Sequence, residues 1–195
     1  FAYDVASGRE AWRYRGLVID STITVGGGRI YFVELRHPEM INAESRRLGG
    51  EPFWQEMVMV ALDADNGEKV WEHPREFVRG DVVFYQAYAD NTLVVVSSPW
   101  TSYGIYTFNA GNGAPLWHKE SGYRERNDTH HGGHMQHPVL MDGLIYQDPH
   151  KFSLATGEQG SLVLDRAGHG CGSLTGAKGL LFGRGDYPRL FEVHG

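Results

Sequence analysis

Apolar and polar residues alternate along most of this chain, in short runs separated by Gly, Asn or Asp. In four segments, two such runs flank one turn signal, as at Asp90–Asn91 and at Asp142–Gly143. The four segments are Ser21–Leu35, Val82–Ser98, His137–Asp148 and Gly172–Arg184. Alternation with a period of two is typical of strands that bury one face, so each segment predicts a β-hairpin. The pattern contains no convincing amphipathic helix.

A second motif repeats between the hairpins. Asp or Asn is followed after three residues by Gly, and after three more by Trp. The copies are Asp4–Gly8–Trp12, Asp63–Gly67–Trp71 and Asn109–Gly113–Trp117, with a weaker copy at Ser153–Gly157–Ser161 and the start of another at Phe191–Val193. Asp or Asn with Gly favours a tight turn between two strands. We expect the Trp that follows to pack between neighbouring sheets, where it can bury most of its area.

Hairpin and motif together give four short strands per roughly 40–50 residues, which is typical of a β-propeller blade. The predicted fold class is therefore all-β, a β-propeller of four-stranded antiparallel blades. About four blades fit in this chain. One closed four-bladed ring, with residues 1–16 supplying the outer strand of the last blade, is the alternative; we expect the blades to be part of a larger ring. The approximate units are 1–16 (partial), 17–75, 76–120, 121–165 and 166–195 (partial). Because the chain begins at Phe1 rather than Met, we expect a processed protein or a fragment.

Composition excludes several classes of function. A formal net charge of −6 argues against a protein that binds nucleic acid by neutralising phosphates. A single Cys excludes an internal disulfide framework and Cys-rich zinc modules. No apolar run approaches the roughly 18 residues of a membrane-spanning helix.

The histidines are the candidate functional residues of this chain. The chain has 10 His, and four of them fall within the segment 130–137. The propeller prediction brings six His to one face of the ring, where two kinds of connection emerge: those from the last strand of one blade to the first strand of the next, and those between the second and third strands of a blade. They are His130, His131, His134, His137, His150 and His169. Neutral imidazole binds transition metals, so one hypothesis is a Cu, Zn or Fe site, completed or oriented by Asp128 or Asp148. The alternative is a polar, His-rich surface loop, and both interpretations remain open.

With the repeat in hand, the chain resembles the PQQ-like repeat family. The resemblance is carried by Ala61, Asp63, Gly67 and Trp71 and by the other copies of the motif. The family includes the β-propellers of quinoprotein alcohol dehydrogenases and of the outer-membrane assembly lipoprotein BamB. Segments from His134 to Gly157 and from His169 to Asp186 also resemble uncharacterised bacterial PQQ-like repeat proteins. The resemblance implies an exported protein, periplasmic or secreted.

For the dehydrogenases of this family, the resemblance implies a bound quinone, a calcium ion, a disulfide between adjacent cysteines and a catalytic Asp. Cys171 has no neighbouring Cys, so that disulfide is absent from this chain. No Asp can be matched to the catalytic one. We therefore do not expect PQQ to bind to this chain alone.

Two functions follow as hypotheses. The first is a binding or scaffold module that presents its His-rich loop face to a protein or carbohydrate partner. The remaining blades of the same protein, or another copy, would be further partners. The second is a metal- or quinone-dependent enzyme, an oxidoreductase or a polysaccharide-active enzyme, with its site on the same face. Trp54, inside the insertion Arg36–Glu56, could stack on a sugar ring or fill the loop.

Overall fold

The computed structural model describes residues 1–42, 51–80, 83–98, 102–122, 137–148, 150–162, 174–184 and 188–193. The chain divides into two compact units, Phe1–Glu76 and Phe77–Gly195. Regular structure in both units is almost entirely antiparallel β-strand.

The described residues of the first unit form two sheets. Its strands are β1 (Ala2–Tyr3), β2 (Glu10–Trp12), β3 (Leu17–Val18), β4 (Thr24–Gly26), β5 (Arg29–Leu35), β6 (Met57–Asp63) and β7 (Lys69–Arg75). Strands β1 and β2 form a hairpin, and β5, β6 and β7 pair in chain order. Strands β4 and β3 pair with the two ends of β5, on either side of a 3-10 turn at Asp20–Thr22. The insertion before β6 holds the short helix α1 (Pro38–Ile41) and a 3-10 turn at Glu51–Trp54.

In the second unit, the part of the chain that the structure describes forms three sheets, each a meander in which consecutive strands pair. The strands are β8 (Val83–Ala89), β9 (Thr92–Ser98), β10 (Ser102–Asn109), β11 (Pro115–Gly122), β12 (Val139–Met141), β13 (Leu144–Gln147), β14 (His150–Ser153), β15 (Gln159–Ser161), β16 (Thr175–Ala177), β17 (Leu180–Arg184) and β18 (Pro188–Glu192). Strands β8–β11 and β12–β15 make four-stranded sheets, and β16–β18 make a three-stranded one. The predicted architecture of four-stranded antiparallel blades is confirmed. The residue boundaries of the blade units stay a prediction.

Four hairpins owe their geometry to two-residue turns. Both turn residues are left-handed at Gly27–Gly28, Asp90–Asn91, Asp142–Gly143 and Lys178–Gly179, with φ between 47° and 74°. Paired positive φ values match the right-handed twist of the strands, and Gly, Asn and Asp adopt them at the lowest cost. The hairpins predicted from alternation are therefore confirmed.

The repeated motif forms a second kind of turn. The Asp63 carboxylate accepts hydrogen bonds from the backbone N–H groups of Asp65 (2.9 Å) and Asn66 (3.2 Å). The Gly67 N–H donates to the Asp63 carbonyl at 2.9 Å, with Gly67 at φ +74°. Equivalent bonds close the turns that start at Asp4, Asn109 and Ser153, where the Ser hydroxyl replaces the carboxylate. Any side chain with an oxygen near the backbone satisfies these N–H groups, which explains the Asp, Asn and Ser variation.

Two of the motif Trp side chains, Trp12 and Trp117, contact the motif turn of the following sheet. The Trp12 Nε1–H donates to the Ala64 carbonyl at 3.1 Å, and its ring lies over Gly67. The Trp117 Nε1–H donates to the Leu154 carbonyl at 2.9 Å, and its ring lies over Gly157. The predicted packing of Trp between sheets is confirmed for both residues.

Apolar side chains fill the space between successive sheets. Val94, Val96 and Ile105 of one sheet are fully buried against Ile145 and Phe152 of the next. Burying one such side chain contributes about 1.5–3 kcal/mol, so this seam supplies much of the stability of the second unit.

Within each unit, the two ends of the strands differ. At one end, the connections are the tight turns just described, such as 90–91 and 154–157; we call this the turn side. At the other end, which we call the loop side, the connections vary in length, from two residues at 148–149 to the long connections 36–56, 123–138 and 162–174. Turn geometry therefore fixes one side of every sheet, and length variation is concentrated on the other.

Candidate functional site

Three contacts join sheets β8–β11 and β12–β15 along their loop side. The His137 ring stacks on Tyr85, near the start of β8, with ring centroids 3.5 Å apart. The Tyr103 hydroxyl donates to the Asp148 carbonyl at 3.2 Å. The third contact links His150 to the end of β11. These contacts run from the first strand of the sheet to the last, so they hold the loop side of the seam along its whole width.

One face of the His137 ring is covered by Tyr85, although the residue as a whole is exposed. The stack on Tyr85 removes water from part of its ring. This burial lowers the pKa of the His137 imidazole, and burial likewise raises the pKa of the Tyr85 hydroxyl. A neutral imidazole is the form that can bind a metal or accept a hydrogen bond.

His150 uses both ring nitrogens. Nε2 lies 2.9 Å from the Gly122 carbonyl, and Nδ1 lies 3.1 Å from Nε2 of Gln159. Because a carbonyl only accepts, Nε2 is the ring nitrogen that faces an acceptor, while Nδ1 faces the side-chain amide of Gln159. To bind a metal ion, His150 would have to release one of these two partners.

Asp148 directly follows β13 and is 8% exposed. Its carbonyl receives the Tyr103 hydroxyl, whose ring is fully buried. The residue that we expected to complete a metal shell thus also belongs to the seam between two sheets.

The predicted metal site is only partly covered by the described residues. His130, His131, His134 and His169 lie outside them, as do Asp128 and Cys171. Of the six predicted ligands, His137 and His150 are described. In the described part of the chain, no group of three His, Cys, Asp or Glu side chains could hold a metal ion. The full six-His site stays a prediction.

The first unit contains a charged network that sequence reasoning missed. Arg36, just after β5, donates to Glu34 (2.8 Å) and to Glu72 (2.6 Å). Tyr14 donates its hydroxyl to Glu34 at 3.1 Å, and Lys69 lies 3.0 Å from Glu72. The side chain of Glu34 is only 9% exposed, so Arg36 neutralises a carboxylate that water scarcely reaches.

The network shifts three pKa values. Hydrogen bonds from Arg36 and then Lys69 lower the pKa of Glu72 to about 2. Burial and the adjacent Glu34 raise the pKa of Tyr14 to about 12. The bond to Glu72 raises the pKa of Arg36 above its ordinary value. Each group is therefore held in the charge state that keeps the network intact at neutral pH.

The insertion between β5 and β6 corrects one hypothesis. Trp54 is 8% exposed and packs on Phe53 with ring centroids 5.0 Å apart, so it fills the loop and offers no open face to a sugar. The short helix α1 begins at Pro38, and the His37 Nδ1 accepts the Glu39 N–H at 3.3 Å. A Pro at the first helical position is the sequence signal that could have predicted this helix.

Among the described residues, no helix has the length and apolar character needed to cross a membrane. No curated protein matches the sequence of this chain.

Solved structures resemble the chain in fold. BamB from Moraxella catarrhalis superimposes with a TM-score of 0.59 at 16% identity, over 95% of this chain and 53% of that one. A rhamnogalacturonan lyase from Bacillus licheniformis, PL11, gives a TM-score of 0.51 at 18% identity, over 87% and 35% of the two chains. This chain thus spans about half the length of the BamB structure.

The family is settled by the sequence. A family model described as outer membrane protein assembly factor BamB matches residues 1–192, from β1 to the end of β18. The match covers every copy of the motif whose turns and docked Trp side chains are described above. With its four-stranded antiparallel sheets and its fold likeness to BamB, the chain belongs to the BamB family of β-propeller proteins with PQQ-like repeats.

Proposed function

We propose that this chain is part of an exported β-propeller scaffold that binds a protein partner through its loop side. The observation that carries the proposal is the contrast between the two sides of the sheets. Turns such as 90–91 and 142–143 have two residues each and fixed backbone angles. Connections 36–56 and 123–138 are long, and in repeat proteins insertions of this kind map to the binding face.

The loop side is also organised before a partner arrives. The contacts Tyr85–His137, Tyr103–Asp148 and His150–Gly122 hold neighbouring sheets together there. In the first unit, Arg36 ties β5 to β7 at the same end of the strands. A surface fixed in this way loses little conformational entropy on binding.

Family membership supports a protein as the partner. The family model is named for a factor in outer membrane protein assembly, so we propose a protein of that assembly process and a periplasmic location. The buried position of Trp54 removes one aromatic platform that would have favoured a sugar. Metal- or quinone-dependent catalysis remains the alternative hypothesis, and no described contact favours it.

Site-specific photo-crosslinking tests the proposal. Benzoylphenylalanine replaces Gly122 and Glu39 on the loop side, and Asn66 and Asn112 on the turn side, in the full-length protein in the cells that produce it. A side chain at position 122 meets no atom within 4 Å, and the other three residues are exposed.

We expect crosslinks from positions 122 and 39 to one protein of outer membrane assembly, identified by mass spectrometry and reproduced with the purified pair. Positions 66 and 112 should give none. Equal labelling from both sides, a polysaccharide adduct, or no adduct would contradict the proposal.

A further inference from the structure

Asn66 and Gly67 are neighbours in the motif turn after β6, the turn on which Trp12 docks. Asn66 is exposed, and its Oδ1 accepts the backbone N–H of Glu68 at 2.8 Å. The Gly67 N–H donates to the Asp63 carbonyl at 2.9 Å. The turn therefore engages two groups of the Asn–Gly pair, the side-chain amide of the first residue and the backbone N–H of the second.

These two groups can react with each other. The Gly67 N–H loses its proton to a base in the solvent, and the nitrogen attacks Cγ of Asn66. A new C–N bond forms, and the side-chain amide nitrogen leaves as ammonia, with a proton from water. Water then opens the resulting cyclic imide at either carbonyl, which gives Asp or isoaspartate at position 66. Because glycine has no Cβ, nothing on residue 67 hinders the attacking nitrogen.

The folded turn opposes this reaction. The hydrogen of the attacking nitrogen is bonded to Asp63, and the amide that it would attack is bonded to Glu68. Trp12 holds the same turn, because its Nε1–H donates to the Ala64 carbonyl at 3.1 Å. Its ring lies so close to the turn that a Cβ on the glycine would come within 2.6 Å of it. The reaction therefore requires the turn to open locally, and undocking of Trp12 is part of that opening.

We propose that Asn66 is a site of spontaneous deamidation, and that docking of Trp12 sets its rate. Each event adds one negative charge to an exposed turn. In the isoaspartate product the main chain runs through the former side chain and is one methylene longer, so Gly67 no longer lies in place beneath the indole. The reaction thus removes the contact that slows it. This inference does not depend on the proposed function.

Peptide mass spectrometry follows the reaction while the purified full-length protein is incubated at mildly alkaline pH. We expect deamidation at Asn66 in the native protein, more slowly than in a synthetic peptide of residues 57–72. Trp12→Phe loses the indole donor, so it should speed the reaction by at least about threefold. Hydrogen exchange of the Gly67 amide should speed by a similar factor, because both processes need its N–H released from Asp63.

Two controls separate local opening from a general loss of stability. Thr22→Val removes a buried hydroxyl that accepts the Val33 N–H at 2.8 Å, so it destabilises the same unit without touching the turn. The Asn66 rate in this variant should stay within about twofold of the native rate. Asn112, which precedes a glycine in the equivalent turn of the second unit, should keep its native rate in both variants.

Three results would overturn the inference. The site is refuted if Asn66 stays intact in Trp12→Phe after the synthetic peptide has fully converted. Equal rates in the native protein and in Trp12→Phe would refute the role of Trp12. Equal acceleration by Thr22→Val and Trp12→Phe would show that the reaction follows unfolding of the unit rather than opening of the turn.

Discussion

The indole of Trp117 lies directly over Gly157, the residue at which the next sheet turns. A Cβ at Gly157 would come within 2.8 Å of the indole, and Gly157 itself has φ +71°. Gly is thus required twice at this position, for the left-handed backbone and for the space that the ring occupies. Trp12 and Gly67 repeat the arrangement in the first unit.

Gly157→Ala should therefore destabilise the protein more than an ordinary left-handed Gly→Ala change. We expect a loss of about 2–4 kcal/mol, combining backbone strain with displacement of the indole. Gly143→Ala is the matched control, because Gly143 has φ +73° and nothing within 4 Å of its added Cβ; it should lose about 1 kcal/mol. Urea unfolding of both variants measures the difference, and equal losses would contradict the docking explanation.

Arg36→Met should destabilise the first unit by about 2–3 kcal/mol, because it leaves the buried Glu34 carboxylate without its cation. Adding Glu34→Gln to Arg36→Met removes the uncompensated charge, so the double variant should recover at least half of the loss. Thermal and urea unfolding report both values. If the double variant is less stable than Arg36→Met, Glu34 does not depend on Arg36 for its charge.

Glu72 should give the protein an acid-dependent stability term. Its pKa falls from an ordinary 4.5 to about 2 in the folded state, so its ion pair stabilises the fold fully above pH 4.5. That contribution is lost as the pH falls from 4.5 towards 2. Since the Arg36 side chain is 39% exposed, solvent screening reduces the effect to about 1 kcal/mol.

The variant Glu72→Gln isolates this term. It should be less stable than the native protein by about 1 kcal/mol at pH 7, and the gap should narrow steadily below pH 4.5. Urea unfolding at pH 7, 4 and 3 measures the gap. A gap that stays constant with pH would show that the ionised carboxylate is not the source.

The His cluster predicts retained metal. Protein purified without a His-tag or chelator should carry about one equivalent of Cu, Zn or Fe by inductively coupled plasma mass spectrometry if the six-His site forms. His134→Ala with His137→Ala should then remove it. His150→Gln should also weaken binding if His150 is a ligand, and should leave it unchanged if His150 only holds Gly122. Metal at background level in the folded native protein would refute the site.

Local features of the fold were accessible from sequence, because their causes lie a few residues apart. Asp63 and Gly67 form one turn within five residues, and the alternation around Asp90–Asn91 identifies a hairpin. For the motif Trp, the sequence predicted only that the side chain packs against a neighbouring sheet. The contact of Trp117 with Gly157 in particular depends on the offset between the two sheets along the strand direction. No local sequence pattern encodes that offset.

The polar contacts on the loop side could not be predicted from the sequence. Tyr14 reaches Glu34 across 20 residues, and His150 reaches Gly122 across 28. To predict either contact, one would need to know the register of one strand and the sideways position of another strand relative to it. Glu34 even occupies a run, Tyr31–Leu35, whose other members are buried and apolar, so alternation gave no reason to single it out.

Docking of Trp12 and of Trp117 on the turn of the next sheet gives these repeats a direction. A Trp depends on a turn that the ribosome makes later, so a nascent sheet has its indole exposed until its successor folds. Damage to one of these turns is likewise felt by the sheet that precedes it in the chain. Sequence change in this protein is therefore constrained differently on the two sides of the sheets. A motif turn must keep room for the Trp of the preceding sheet, whereas a connection on the loop side can lengthen without disturbing that contact.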